Sequence, residues 1–145
     1  MARSEDPYDL ARFVDAQAAN YSRALSELRA GEKRSHWMWY VFPQIDGLGH
    51  SPMSRRYSIK SAAEATAYLD HPVLGPRLRE CFGAVTEIVG RSASEIFGSP
   101  DDLKLRSCAT LFDSVSDEDI FEQVINKCFD GERDEDTLRL LRSNN

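Results

Sequence analysis

Apolar residues recur at spacings of three and four along most of this chain, the pattern of amphipathic helices. Leu10, Phe13, Val14, Gln17, Tyr21, Ala24, Leu25 and Leu28 share one face of a helix that opens near Pro7 and closes at Gly31. Leu74, Leu78, Cys81, Phe82, Val85 and Val89 line a second, expected from about residue 72 to residue 89. Leu103, Leu111, Phe112 and Val115 mark a third. Ile120, Phe121, Val124, Ile125, Cys128 and Phe129 mark a fourth, which Gly131 closes. Helix-start signals punctuate these stripes. Ser51-Pro52 pairs an N-cap with a proline suited to the first turn. Ser61-Ala62-Ala63-Glu64 and Ser92-Ala93-Ser94-Glu95 read as capping boxes, and the first opens a helix that ends near Asp70. Ser99-Pro100-Asp101-Asp102 and Ser116-Asp117-Glu118-Asp119 set acids at the positive ends of two more helices. Asp134 caps a last short helix that holds Leu138 and Leu141. Ser35 is expected to cap a short helix that Pro43 halts, although residues 37–42 would also suit a short strand. Nothing else alternates. The pattern predicts an all-α fold: one compact domain over residues 1–145, built of six to eight unequal helices.

A chain of 145 residues is long enough to bury a full core without disulfide or metal staples. No apolar run approaches the ~20 residues of a membrane span, and the charged start, Met1-Ala2-Arg3-Ser4-Glu5-Asp6, lacks the apolar core of a secretory leader. A cytoplasmic protein is expected. Cys81, Cys108 and Cys128 are far apart and odd in number, which fits small buried hydrophobes better than a zinc site or a nucleophile. Residues 1–60 carry nine Lys and Arg against seven Asp and Glu, whereas residues 61–145 carry nine against seventeen. Nine of those acids lie between residues 117 and 136. Such a face repels nucleic acid, so DNA and RNA are disfavoured as partners. The N-terminal half can still attract a small anion.

Candidate chemistry gathers in Lys33-Arg34-Ser35-His36-Trp37-Met38-Trp39-Tyr40-Val41-Phe42-Pro43-Gln44. Both tryptophans lie there, beside two cations and a histidine. His36 either orients the aromatic run through a backbone carbonyl or serves as a general acid/base. Trp37 and Trp39, two apart, point to different helix faces, so one belongs to the core and the other is placed to stack on a planar ring. Arg55-Arg56-Tyr57 follows a helix start and the Gly47-Leu48-Gly49 loop, a setting that holds a phosphate or carboxylate. Asp101, Asp102 and Lys104 share another helix start, where a carboxylate acts as base or ribose contact if it faces a pocket and as a surface charge if it does not. His50 reads as solvated, and His71, before Pro72, as a local cap. No metal-ligand spacing, cofactor fingerprint or nucleophile–base order is present.

Several segments, in order, resemble the domain of unknown function family numbered 1810, whose members are sometimes titled calpastatin. They are Arg12-Phe13-Val14-Asp15-Ala16-Gln17, Lys33 to Trp39 with Phe42-Pro43-Gln44, Gly47-Leu48-Gly49 with Ser51, Arg56-Tyr57, His71-Pro72-Val73-Leu74-Gly75-Pro76-Arg77-Leu78, Ile96-Phe97-Gly98-Ser99-Pro100-Asp101-Asp102-Leu103-Lys104-Leu105-Arg106-Ser107 and Thr110-Leu111-Phe112. The resemblance spans residues 8–141, with Cys108 where a serine is common. It implies a mainly helical bacterial protein with no established activity. Its motif residues are of the pocket-lining kind, and they map onto His36, Trp37, Gln44, Tyr57, Asp102 and Lys104. A fainter similarity over residues 71–112, to the NADAR family, implies NAD or ADP-ribose metabolism and N-glycoside cleavage.

Two functions are therefore expected. One is a pocket for a small anionic, nucleotide-like ligand, hydrolytic if His36 and Asp102 act as catalytic groups, with Trp37, Trp39, Gln44, Arg56, Tyr57 and Lys104 binding the ligand. The other is a non-catalytic interaction module whose acidic C-terminal face meets a basic protein. Neither requires a metal or cofactor.

Overall fold

The computed structural model describes residues 6–143, so the charged start, residues 1–5, lies outside the described residues. Among the described residues ten helices follow one another: α1 (Ala11–Ala18), α2 (Tyr21–Arg29), α3 (Met38–Val41), α4 (Pro52–Arg56), α5 (Ala62–Asp70), α6 (Leu74–Thr86), α7 (Ala93–Phe97), α8 (Asp101–Ser114), α9 (Asp119–Phe129) and α10 (Glu135–Ser143). The all-α expectation holds, but the count of six to eight is too low. Three one-turn helices stand as separate elements, and the first stripe breaks in two. At the break the Asn20 side chain donates to the Ala16 carbonyl, competing with the helical backbone. Asn20 N–H bonds Gln17 instead, and the chain turns before α2.

α8 is the central element. All six residues from Ser107 to Phe112 are buried, as a helix enclosed on every side requires. It packs against α5, α7, α9 and α10, while α6 packs against α2, α5 and α9. The α5–α6 crossing depends on Gly75, where an added Cβ would lie 2.1 Å from the Leu69 carbonyl oxygen. Rings link the core into one ladder: Trp37, Phe42, Phe82, Phe121, Phe112, Tyr68, Phe13, Tyr57 and Tyr40 meet in sequence at centroid distances of 5.0–6.1 Å. Edge-on and tilted packing of this kind adds about 0.5–1.5 kcal/mol per pair beyond area burial.

The caps are mostly where the residues put them. Ser51 accepts from Ser54 N–H, and Ser92 with Glu95 forms a reciprocal box. Ser61 accepts from Glu64 N–H, but the Glu64 carboxylate turns to Lys60 N–H and Arg12, so that box is one-sided. His71 is a cap, its Nδ1 accepting from Val73 and Leu74 N–H at 3.1 and 3.2 Å. Asp134 accepts from Thr137 N–H ahead of α10. α6 stops at Thr86, whose hydroxyl bonds the Gly83 carbonyl, and this leaves Val89 beyond the helix and 88% exposed. Leu103 is also outside the core, 48% exposed on the first turn of α8. At the end of α9, Asp130 takes the left-handed position and Gly131 N–H closes onto the Ile125 carbonyl. Residues 37–42 form a helical turn; among the described residues the one β-type pairing is an isolated bridge between Ile45 and Ile59.

Candidate functional site

The segment from Lys33 to Trp39 is irregular, and a carboxylate from α2 organises it. Glu27 accepts four hydrogen bonds: Arg34 N–H (2.7 Å), Ser35 N–H (3.0 Å), the Ser35 hydroxyl (2.5 Å) and the Trp37 indole N–H (2.9 Å). Partial burial pushes the Glu27 pKa up, but the Ser35 hydroxyl, Arg34 N–H and Trp37 indole outweigh it and hold the pKa at about 2. Ser35 therefore does not cap the short helix as expected. Its hydroxyl is spent on Glu27, and α3 begins only at Met38.

Trp37 is drawn inward by the same bond. It is 1% exposed and packs against Phe42 and Phe97, so it serves the core and offers no face to a ligand. Trp39 points elsewhere and stays half-buried. Lys104 Nζ sits 5.6 Å from its ring centroid. On Trp37 the equivalent cation is Lys33, 5.1 Å away. Asp101 lies between the two lysines, 2.9 Å from Lys33 Nζ and 3.5 Å from Lys104 Nζ. One carboxylate at the start of α8 thus holds two lysines over two tryptophans.

Beside Trp39 is a crevice lined also by Gln44, Ile45, Gly47, Gly49, Ser54, Tyr57 and Ser58. Its free volume is about 10 Å³, room for about one water. The loop closes tightly here: an added Cβ at Gly49 would lie 2.5 Å from the Ser54 hydroxyl. Tyr57 is nearly buried between Tyr40 and Phe13, and its hydroxyl accepts from Arg56 Nε at 3.2 Å. Arg56 is exposed, its guanidinium 5.5 Å from the Tyr57 ring.

Trp39, Gln44 and Tyr57 therefore meet around one crevice, with Lys104 on the Trp39 ring and Arg56 on the Tyr57 ring. His36 and Asp102 do not join them. His36 is exposed, and its ring has no hydrogen-bond partner among the described residues. Asp102 accepts from the neighbouring Leu103 N–H. No base–orienter pair is assembled between them. Burial raises the Cys81 thiol to about 12 and Cys108 well above its ordinary value, against a nucleophilic role. Among the described residues, no group of three or more His, Cys, Asp or Glu could hold a metal, and no helix is long and apolar enough to cross a membrane.

Two polar residues that shape this region, Arg12 and Glu27, were given no role by sequence reasoning. Arg12 donates to the carbonyls of Tyr8, Asp9, Arg56 and Ser58 and to Glu64, so it fixes both α4 and the strand-like residues after it. The available signal was Gln17, an amide inside an apolar stripe. It is 2% exposed and bonds the Tyr40 carbonyl and the Tyr68 hydroxyl. The acidic stretch is less free than its sequence implied: of nine acids, Glu118, Glu122, Asp134 and Asp136 are each in an ion pair with an arginine.

The sequence profile of a family described as protein of unknown function (DUF1810) matches residues 7–141. The chain is also similar to a solved structure, that of the conserved hypothetical protein Rv1873 from Mycobacterium tuberculosis. The two are 54% identical, the match covers 94% of this chain and 99% of that one, and the TM-score is 0.93. No functionally curated protein matches.

Proposed function

Because the chain belongs to the DUF1810 family, whose function is unknown, its own geometry has to carry the reading, and we propose that it binds a small anionic ligand with a planar ring, nucleotide-like in character, on the open face of Trp39. The observation that carries this is the placement of Lys104 on the Trp39 ring, with Arg56 on the ring of Tyr57, which lines the same crevice. A planar ring gains about 1–3 kcal/mol by stacking on an aromatic side chain. Lys104, already poised there, then swings to the ligand's phosphate or carboxylate. Arg56 supplies a second, exposed guanidinium for a charge-assisted bond. Gln44 offers the polar edge contact. The crevice is far too small to enclose a nucleotide, so the ligand lies on the surface with its ring over Trp39. Trp37 belongs to the core in this reading. His36 and Asp102, unlinked to each other, leave the proposal as binding without hydrolysis.

The alternative, an interaction module using the acidic C-terminal face, draws less support because four of the nine acids are already paired with arginines.

Tryptophan fluorescence tests the proposal directly, since Trp37 and Trp39 are the only two indoles. Titration with AMP, ADP-ribose and NAD should give saturable quenching with at least one of them. Trp39→Phe should remove the quenching, and Lys104→Ala should weaken it about tenfold. Absence of saturable quenching up to millimolar ligand, or quenching that survives Trp39→Phe, would end this reading.

A further inference from the structure

A cleft of about 640 Å³ lies between the start of α1 and the C-terminal end of α5, and it shares no residue with the Trp39 crevice. Its apolar surface comes from Leu10, Val14, Ala67 and Tyr8, which are continuous with the core. Among the described residues Asp6, Asp15 and Asp70 line it together with the capping ring of His71, and no lysine or arginine does. Asp6 is committed to capping, with its carboxylate accepting from Leu10 and Ala11 N–H. Asp15 and Asp70 are exposed and make no salt bridge among the described residues. Asp70 is also the last residue of the nine-residue α5, so the partial negative charge of that helix end adds to its own. The acids of residues 117–136 are different, because arginines stand beside several of them.

We infer that this cleft is a docking site for a cationic amphipathic segment of a partner protein. One aliphatic side chain of that segment enters between Leu10, Val14 and Ala67. A flanking lysine or arginine meets Asp15 on α1, and another meets Asp70 at the end of α5. Charge complementarity chooses the occupant. An acidic or neutral segment would fill the apolar part equally well but would leave Asp15 without a partner and Asp70 with only the Arg79 guanidinium nearby, which already pairs with Glu118.

The test is selection of random peptides displayed on phage against the full chain, followed by anisotropy titration of the enriched peptides made synthetically. Enriched sequences should carry aliphatic residues flanked by lysine or arginine. Their affinity should fall about tenfold or more in the double variant D15K/D70K and several-fold in V14T, which keeps the side-chain shape. Reversal at two exposed acids elsewhere, E132K/E135K, should leave affinity unchanged. Thermal midpoints verify that each variant folds, and D15N/D70N replaces the charge-reversed pair if that pair is unstable. Three results would each overturn the inference: no enrichment, enrichment of peptides that are not cationic, or equal weakening by E132K/E135K, which would reduce the effect to nonspecific attraction.

Discussion

Residues 31–60 and residues 62–143 are held together by different forces. The second region consists largely of helices of nine to fourteen residues that satisfy their own backbone and meet through aromatic and aliphatic side chains. The first holds helices of only four and five residues and a single bridge, yet Trp37, Tyr40, Phe42, Ile45 and Ile59 within it are buried. Buried irregular chain must find partners for its N–H and C=O groups. Here those partners are side chains from α1 and α2: Arg12 for the carbonyls of Arg56 and Ser58, Gln17 for that of Tyr40, and Glu27 for the N–H groups of Arg34 and Ser35. A polar residue reaching the first region from α1 or α2 therefore does the structural work of a phenylalanine in the second.

Removing the largest contributor from each side gives the sharpest test. Phe112→Ala empties a fully buried position between Tyr68 and Phe121 and should cost about 3–5 kcal/mol, read from urea unfolding. Arg12→Ala should come close, at about 3 kcal/mol, although the side chain it removes is charged. It leaves four carbonyls short of a donor and strands the Glu64 carboxylate, whose side chain is 2% exposed. Arg12→Lys should recover only part of this, since an ammonium cannot reproduce the guanidinium fork. If Arg12→Ala proves as mild as an ordinary surface change, the polar-clamp account of residues 31–60 fails.

A smaller effect follows from acid. The Glu27 carboxylate titrates at about 2 in the folded chain, below its ordinary 4.5. Its contribution is therefore complete above about pH 4.5 and disappears as the pH falls through about 2. Because the group is only partly buried, the contribution is about 1–2 kcal/mol after solvent screening. Glu27→Gln should lower the urea midpoint at neutral pH, and the gap from the parent chain should close between pH 4.5 and pH 2. A gap independent of pH would mean that shape, not charge, organises the Lys33 to Trp37 turn.

The contrast between the regions also decides what could be read from the residues alone. Residues 62–143 announce themselves through apolar periodicity and caps, and Ser92, His71 and Asp134 cap where expected. Errors there are confined to ends, as when Thr86 stops α6 before Val89. Within residues 31–60 only the Ser51-Pro52 helix start carries such a code. The partners that shape them lie seven to 46 positions away, as Glu27 does from Arg34 and Arg12 from Ser58, and local pattern cannot pair them. The two tryptophans show the consequence for the site. Spacing put them on different faces, but which one is core depends on an indole bond to Glu27 that no local pattern reveals. Asp101 likewise read as a helix-end charge, and only the fold brings Lys33 to its other side.

The smallest effect is at a joint inside the second region, between α5 and α6. His71 ends α5 and lends its Nδ1 to two N–H groups at the start of α6, a task usually given to Asp, Asn or Ser. His71→Ala should cost about 1 kcal/mol, the ordinary value of a helix cap, while His71→Asn should keep most of it. The ring also lines the cleft beside Asp70, so the pair of variants separates two roles. A cap alone predicts that His71→Asn behaves like the parent in thermal unfolding. Loss of stability in both variants alike would mean that the imidazole's packing against its neighbours matters more than its nitrogen, and that this joint, too, is held by side-chain shape.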